Sequence, residues 1–68
     1  VTGKIQLDAG GQWKVYDRNR LATAMLVHLD TGSRVATAHI LRTVHGFDTD
    51  AVTYAVAAAR AIEIGIEP

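Results

Sequence analysis

The chain contains no cysteine. Disulfides are therefore excluded, and zinc has no thiolate to bind. Proline is almost absent, the single one being the last residue, Pro68. There is no surplus of charge, because seven Lys and Arg balance seven Asp and Glu. A strongly basic protein announces a nucleic-acid or membrane partner, and this composition does not. No apolar run approaches the roughly 20 residues that span a bilayer. No signal-peptide pattern opens the chain. The expectation is an intracellular, cytoplasmic protein with no membrane partner.

What is present is a short chain of 68 residues, about half of them apolar. That length allows one domain, residues 1–68. A domain of this size hides only about 60% of its unfolded surface, so it commonly relies on a disulfide, a metal or a partner chain. With disulfides excluded, a histidine–carboxylate metal site or self-association is left.

Glycine punctuates the chain. Gly10-Gly11 separates Lys4-Ile5-Gln6-Leu7-Asp8 from Gln12-Trp13-Lys14-Val15-Tyr16, which reads as a hairpin turn between two strands. Trp13 and Tyr16 point to opposite faces of the second strand. Trp13, flanked by Val15, suits the core, while Tyr16 falls on the face of Lys14 and Gln12. Asp17-Arg18-Asn19-Arg20 reads as a turn, because Asp and Asn bond to nearby backbone. Two further apolar runs follow, separated by Asp30-Thr31-Gly32-Ser33. A three-residue loop with Gly in the left-handed position joins hairpin strands. With Asp30, Thr31 and Gly32 as that loop, Leu29 faces Ser33 and Val27 faces Val35.

This register divides the hairpin into two faces. Leu21, Met25, Val27, Leu29, Val35 and Leu41 form a bulky apolar face. The other carries Ala22, Ala24 and Leu26 opposite Ile40, Ala38 and Ala36, edged by Arg20, Arg34, Arg42 and His28. A one-residue slip would reshuffle both.

The last segment reads as a helix. Asp48 or Thr49 serves as N-cap, Asp50 suits the positive end of the dipole, and Gly65 is the C-cap. Val52, Val56 or Ala55, Ala59 and Ile62 recur at helical spacing as a buried stripe. The expected architecture is α+β: a three- to four-stranded antiparallel meander (strands about 4–7, 12–17, 21–29 and 34–44), then one C-terminal helix (about 49–64) packed on one sheet face.

Leu29-Asp30-Thr31-Gly32-Ser33 after Ala24-Met25-Leu26-Val27 resembles the aspartic-protease signature. That resemblance implies an acid protease in which Asp30 and its symmetry mate share one proton. The chain departs from the family in having no flap hairpin and no second apolar-glycine segment downstream. The same four residues are also good turn chemistry. In topology alone, a three-stranded sheet followed by a helix resembles the arm-type DNA-binding domains of tyrosine recombinases. Ala55-Val56-Ala57-Ala58-Ala59-Arg60-Ala61-Ile62 is similar to the last helix of double-stranded-RNA-binding domains. Here, however, Asp48-Thr49-Asp50 replaces that family's basic helix start. His28, His39 and His45 lack the i, i+2 or i, i+4 spacing that aims two imidazoles at one ion.

No metal, cofactor or catalytic set is expected. The reading that follows is a small non-enzymatic interaction or regulatory module. It would form a homodimer through Ala22, Ala24, Leu26, Ala36, Ala38 and Ile40, and bind an unidentified protein or small apolar ligand. The alternative is a nucleic-acid-binding module using Arg20, Arg34, Arg42 and His28.

Overall fold

A computed structural model describes residues 3–9 and 12–68. Among these residues the order is β1 (Lys4–Ala9), β2 (Gln12–Asp17), α1 (Arg18–Thr31), α2 (Arg34–Thr43) and α3 (Ala51–Glu63). The strands pair antiparallel, Lys4 with Asp17 through Ala9 with Gln12. The turn expected at Gly10-Gly11 lies outside the described residues.

The expected three- to four-stranded meander is not formed among the described residues, whose sheet has two strands. Residues 21–29 and 34–44, expected as strands, lie within α1 and within α2 with its C-cap Val44. Leu21-Ala22-Thr23-Ala24-Met25 satisfies both periods, because short apolar runs fit a strand or a helix. Local chemistry decides for the helix. Ala, Leu and Met are strong helix formers. Asp17, expected in a turn, is instead the N-cap, its carboxylate accepting from the Arg20 N–H at 3.0 Å. Gly32 ends α1 in the left-handed region (φ 70°), where a Cβ would be strained. Ser33 then caps α2, accepting from the Ala36 N–H at 3.4 Å. Asp30-Thr31-Gly32-Ser33 is thus a junction between helices, not a hairpin loop.

Burial follows the helical period. Leu21, Ala24 and Met25 on α1, and Thr37, Ala38 and Leu41 on α2, are buried. Leu29 and Val35, expected beneath a helix, are exposed. The alanine face has no sheet to lie on. Ala22, Ala24 and Leu26 belong to α1, and Ala36, Ala38 and Ile40 to α2. Of these six, Ala24 and Ala38 enter the core, Ala22, Ala36 and Ile40 are half-buried, and Leu26 faces solvent.

The C-terminal helix is present, starting two residues later than expected. Asp50 occupies the N-cap without a side-chain capping bond, since its carboxylate reaches Arg20 instead (2.8 Å). At the other end Gly65, at φ 90°, donates to the Ile62 carbonyl (3.1 Å) and Ile66 donates to Ala61 (2.8 Å). This is a Schellman closure, with Ile66 packed against the core. The buried stripe is rotated from the expected one. Ala51, Tyr54, Ala55, Ala57, Ala58 and Ala61 point inward, while Val52 and Val56 are exposed. α3 packs against α1, α2 and β1 at once. A helix so surrounded needs small side chains on most of its girth, and alanine lets the backbones approach.

The faces of β2 are also exchanged relative to expectation. Tyr16 is buried, whereas Trp13 is 68% exposed and Val15 is exposed beside it. Tyr16 stands across from Ile5 and shares its face with Leu7, which is itself buried. Its ring meets Tyr54 edge-on at 5.4 Å, and Tyr54 meets Phe47 likewise at 5.4 Å. The Tyr54 hydroxyl accepts the Asp17 N–H at 3.0 Å. Phe47 carries the Arg20 guanidinium over its ring at 5.1 Å. One aromatic cluster therefore ties the strand pair, the start of α1 and α3 together.

Candidate functional site

A groove of about 320 Å³ runs between α2 and α3. Its floor is made by Ala38 and Ala55, both buried. Two alanines facing each other where the helices meet leave a depression that larger side chains would fill. Val35, Val52 and Val56 wall it, and Val35 is 81% exposed. The rim is cationic. Arg34 and Arg42 stand two turns apart on α2, with His39 between them. At 1.5 Å per residue, the two arginines leave the helix about 12 Å apart.

No Asp or Glu lines the groove. Among the described residues neither Arg34 nor Arg42 enters a salt bridge, whereas Arg20 pairs with Asp50 and Arg60 with Glu63. Helical periodicity produces this separation. Positions 34, 38 and 42 share one face of α2, and positions 52, 55 and 56 one face of α3.

The structure scatters the four residues expected to meet nucleic acid. Arg34 and Arg42 come together at the groove. Arg20 is held by Asp50 and Phe47. His28 is half-buried, with Nδ1 3.3 Å from the Thr37 hydroxyl. That hydroxyl is fully buried and donates to the Ser33 carbonyl at 2.7 Å, and it lies 2.8 Å from Thr31 Oγ1. His28, Thr31 and Thr37 thus form a polar lock across the α1–α2 junction. Comparison with known proteins yields no relative: no family model, no curated protein and no solved structure matches the chain.

Asp30 is exposed in the last turn of α1. His45 is exposed in the α2–α3 connection and meets the Phe47 ring edge-on at 6.5 Å. Among the described residues no three His, Cys, Asp or Glu side chains gather where they would hold a metal ion. Nor is any helix among them long and apolar enough to cross a membrane. The Tyr16 hydroxyl is pushed above the ordinary tyrosine range by burial first and by the neighbouring Tyr54 second. The Tyr16 side chain as a whole is buried, and it does not line the groove.

The groove residues missed by the sequence reading are Val35, His39, Val52, Ala55 and Val56. The available signal was the spacing Arg34, Ala38, Arg42. It is visible only once that segment is read as a helix.

Proposed function

We propose that this chain is a small non-enzymatic interaction module whose α2–α3 groove receives an amphipathic helix of a partner protein, with acidic residues beside the partner's apolar stripe. The observation that carries the reading is the composition of the groove: an apolar floor and walls under a rim whose charged groups are Arg34 and Arg42, with no carboxylate. An amphipathic helix laid in a groove is a recurring recognition mode, with anchors at i, i+3, i+4 and i+7. Two rim arginines about 12 Å apart match carboxylates two turns apart on such a helix. Charge complementarity selects the partner and sets its approach, while the valines contribute the apolar burial.

Titration of labelled helical peptides tests this, using one apolar face with either Glu or Lys flanks. The Glu-flanked peptide should bind, and reversing Arg34 or Arg42 to Glu should weaken it by about 10-fold each, roughly 1.4 kcal/mol. Equal binding of both peptides, or binding unaffected by either reversal, removes the proposal.

A second reading is supported by the exposed face of α2, where Arg34, His39 and Arg42 follow the short Gly32-Ser33 connection from α1. Two helices joined by a tight turn can present the second helix to a DNA groove. A duplex that binds with steep salt dependence, lost in Arg34→Ala and Arg42→Ala, would favour this reading over the helix partner.

A further inference from the structure

We propose that the outer edge of β1 is a self-pairing edge, occupied by β1 of a second copy running antiparallel about a two-fold axis at Gln6. Among the described residues the sheet has two strands, so β1 is bonded on one side only. The ladder determines which groups face the open side. Arg18 donates to the Gly3 carbonyl at 2.8 Å, one step beyond the Lys4–Asp17 pair. Hydrogen-bonded and non-bonded pairs alternate in an antiparallel ladder. Ile5–Tyr16 and Leu7–Lys14 are therefore the bonded pairs. The N–H and C=O groups of Lys4, Gln6 and Asp8 point away from β2.

The segment Lys4-Ile5-Gln6-Leu7-Asp8 is complementary to itself in that orientation. Antiparallel pairing about Gln6 sets Lys4 against Asp8 of the second copy, twice by symmetry. Gln6 meets Gln6, and Ile5 meets Leu7 on the core side. All three outward-pointing residues of each copy then enter the ladder. Opposite charges directly across strands stabilise, and like charges destabilise. A slip of two residues leaves Lys4 against Gln6 and loses both charged pairs. The outward residues of β2 are Trp13, Val15 and Asp17. Pairing them about Val15 sets Asp17 against Trp13, so β2 offers no such match.

Two further observations agree. Asp8 Oδ1 is shielded from solvent and has no hydrogen-bond partner among the described residues. The proposed register brings an ammonium group from the second copy alongside that carboxylate. Within its own chain Lys4 already faces Asp17, so the rows across the joined sheet run Asp17, Lys4, then Asp8 of the second copy, with alternating sign. The two-stranded sheet, marginal on its own, becomes a four-stranded one.

Sedimentation equilibrium of the full chain, from about 1 to 200 µM, reads the association directly. The wild type should dimerise in that range. Gln6→Pro should be monomeric with an unchanged helical circular dichroism signal, since it removes an N–H that the β1–β2 ladder does not use. Asp8→Lys and Lys4→Glu should each weaken association at least about 10-fold, while their equimolar mixture should reassociate, because each mutant supplies the charge the other lacks. A wild type still monomeric at the highest concentration overturns the proposal. So does a folded Gln6→Pro variant that dimerises as well as wild type, or a mixture of the charge variants that stays monomeric.

Discussion

Tyr54 makes the most direct test of how the strand pair is held to the helices. Its hydroxyl accepts the Asp17 N–H at 3.0 Å, and its ring contacts both Tyr16 and Phe47 at 5.4 Å. Tyr54→Phe removes one oxygen and leaves both ring contacts. The Asp17 N–H, part-buried at the β2–α1 junction, then loses its acceptor. An unsatisfied donor of that kind costs about 1–3 kcal/mol, and partial access of water to Asp17 points to the lower half of the range. A domain of this length is stable by roughly 3–10 kcal/mol. A loss of about 1–1.5 kcal/mol should lower Tm by roughly 4–12 °C. Tyr54→Leu also forfeits two edge-on aromatic contacts, each about 0.5–1.5 kcal/mol, and should cost about 2–4 kcal/mol in total. Urea unfolding followed by far-UV circular dichroism measures both variants against wild type, with the slope m expected to stay unchanged. A Tyr54→Phe midpoint that matches wild type within about 0.3 kcal/mol refutes the hydrogen bond as a stabilising link.

Three further perturbations probe other parts of the fold. Thr37→Val keeps the shape but removes a fully buried hydroxyl shared by Ser33, Thr31 and His28; it should destabilise by about 1–3 kcal/mol in thermal melts. Trp13→Ser, at a site 68% exposed, should change stability by no more than about 0.5 kcal/mol in the same melts, whereas a core tryptophan would cost several times that. The raised Tyr16 makes stability depend on alkaline pH. The folded chain holds its phenol proton more tightly than the unfolded chain, so this contribution is complete below about pH 10 and is lost as pH rises through the folded value. Melts across that range should show a decline that is shallower in Tyr16→Phe.

Recognition of the groove depended on a local decision about secondary structure. The sequence sets Arg34 and Arg42, with Arg20 and His28, at the edge of a face of small residues, and the structure keeps the first two on one surface. A period of two placed them at the corners of a sheet, whereas the helical period places them on one face of α2 with His39 between. The groove also needs α3, whose Val52 and Val56 face outward because its alanines are consumed by three neighbours. No spacing within α3 announces that crowding.

The sequence by itself determined the elements that are settled within a few residues. Two alternating runs mark strands at about 4–7 and 12–17, which the structure pairs antiparallel over 4–9 and 12–17, and the end of α3 follows from a glycine that can adopt φ 90°. It also determined that Trp13 and Tyr16 lie on opposite faces, since strand side chains alternate. Only the tertiary structure decided which of them is inside, because that depends on Tyr54 and Phe47 arriving from elsewhere in the chain. In residues 21–29 and 34–44 local capping and propensity favour the helical period, and tertiary packing decides which side chains of those helices lie inside. Leu21, Met25 and Leu41 lie inward under either period, so these bulky positions do not discriminate. The discriminating side chains are Leu29 and Val35, exposed because α1 and α2 turn them away from a core already filled around α3.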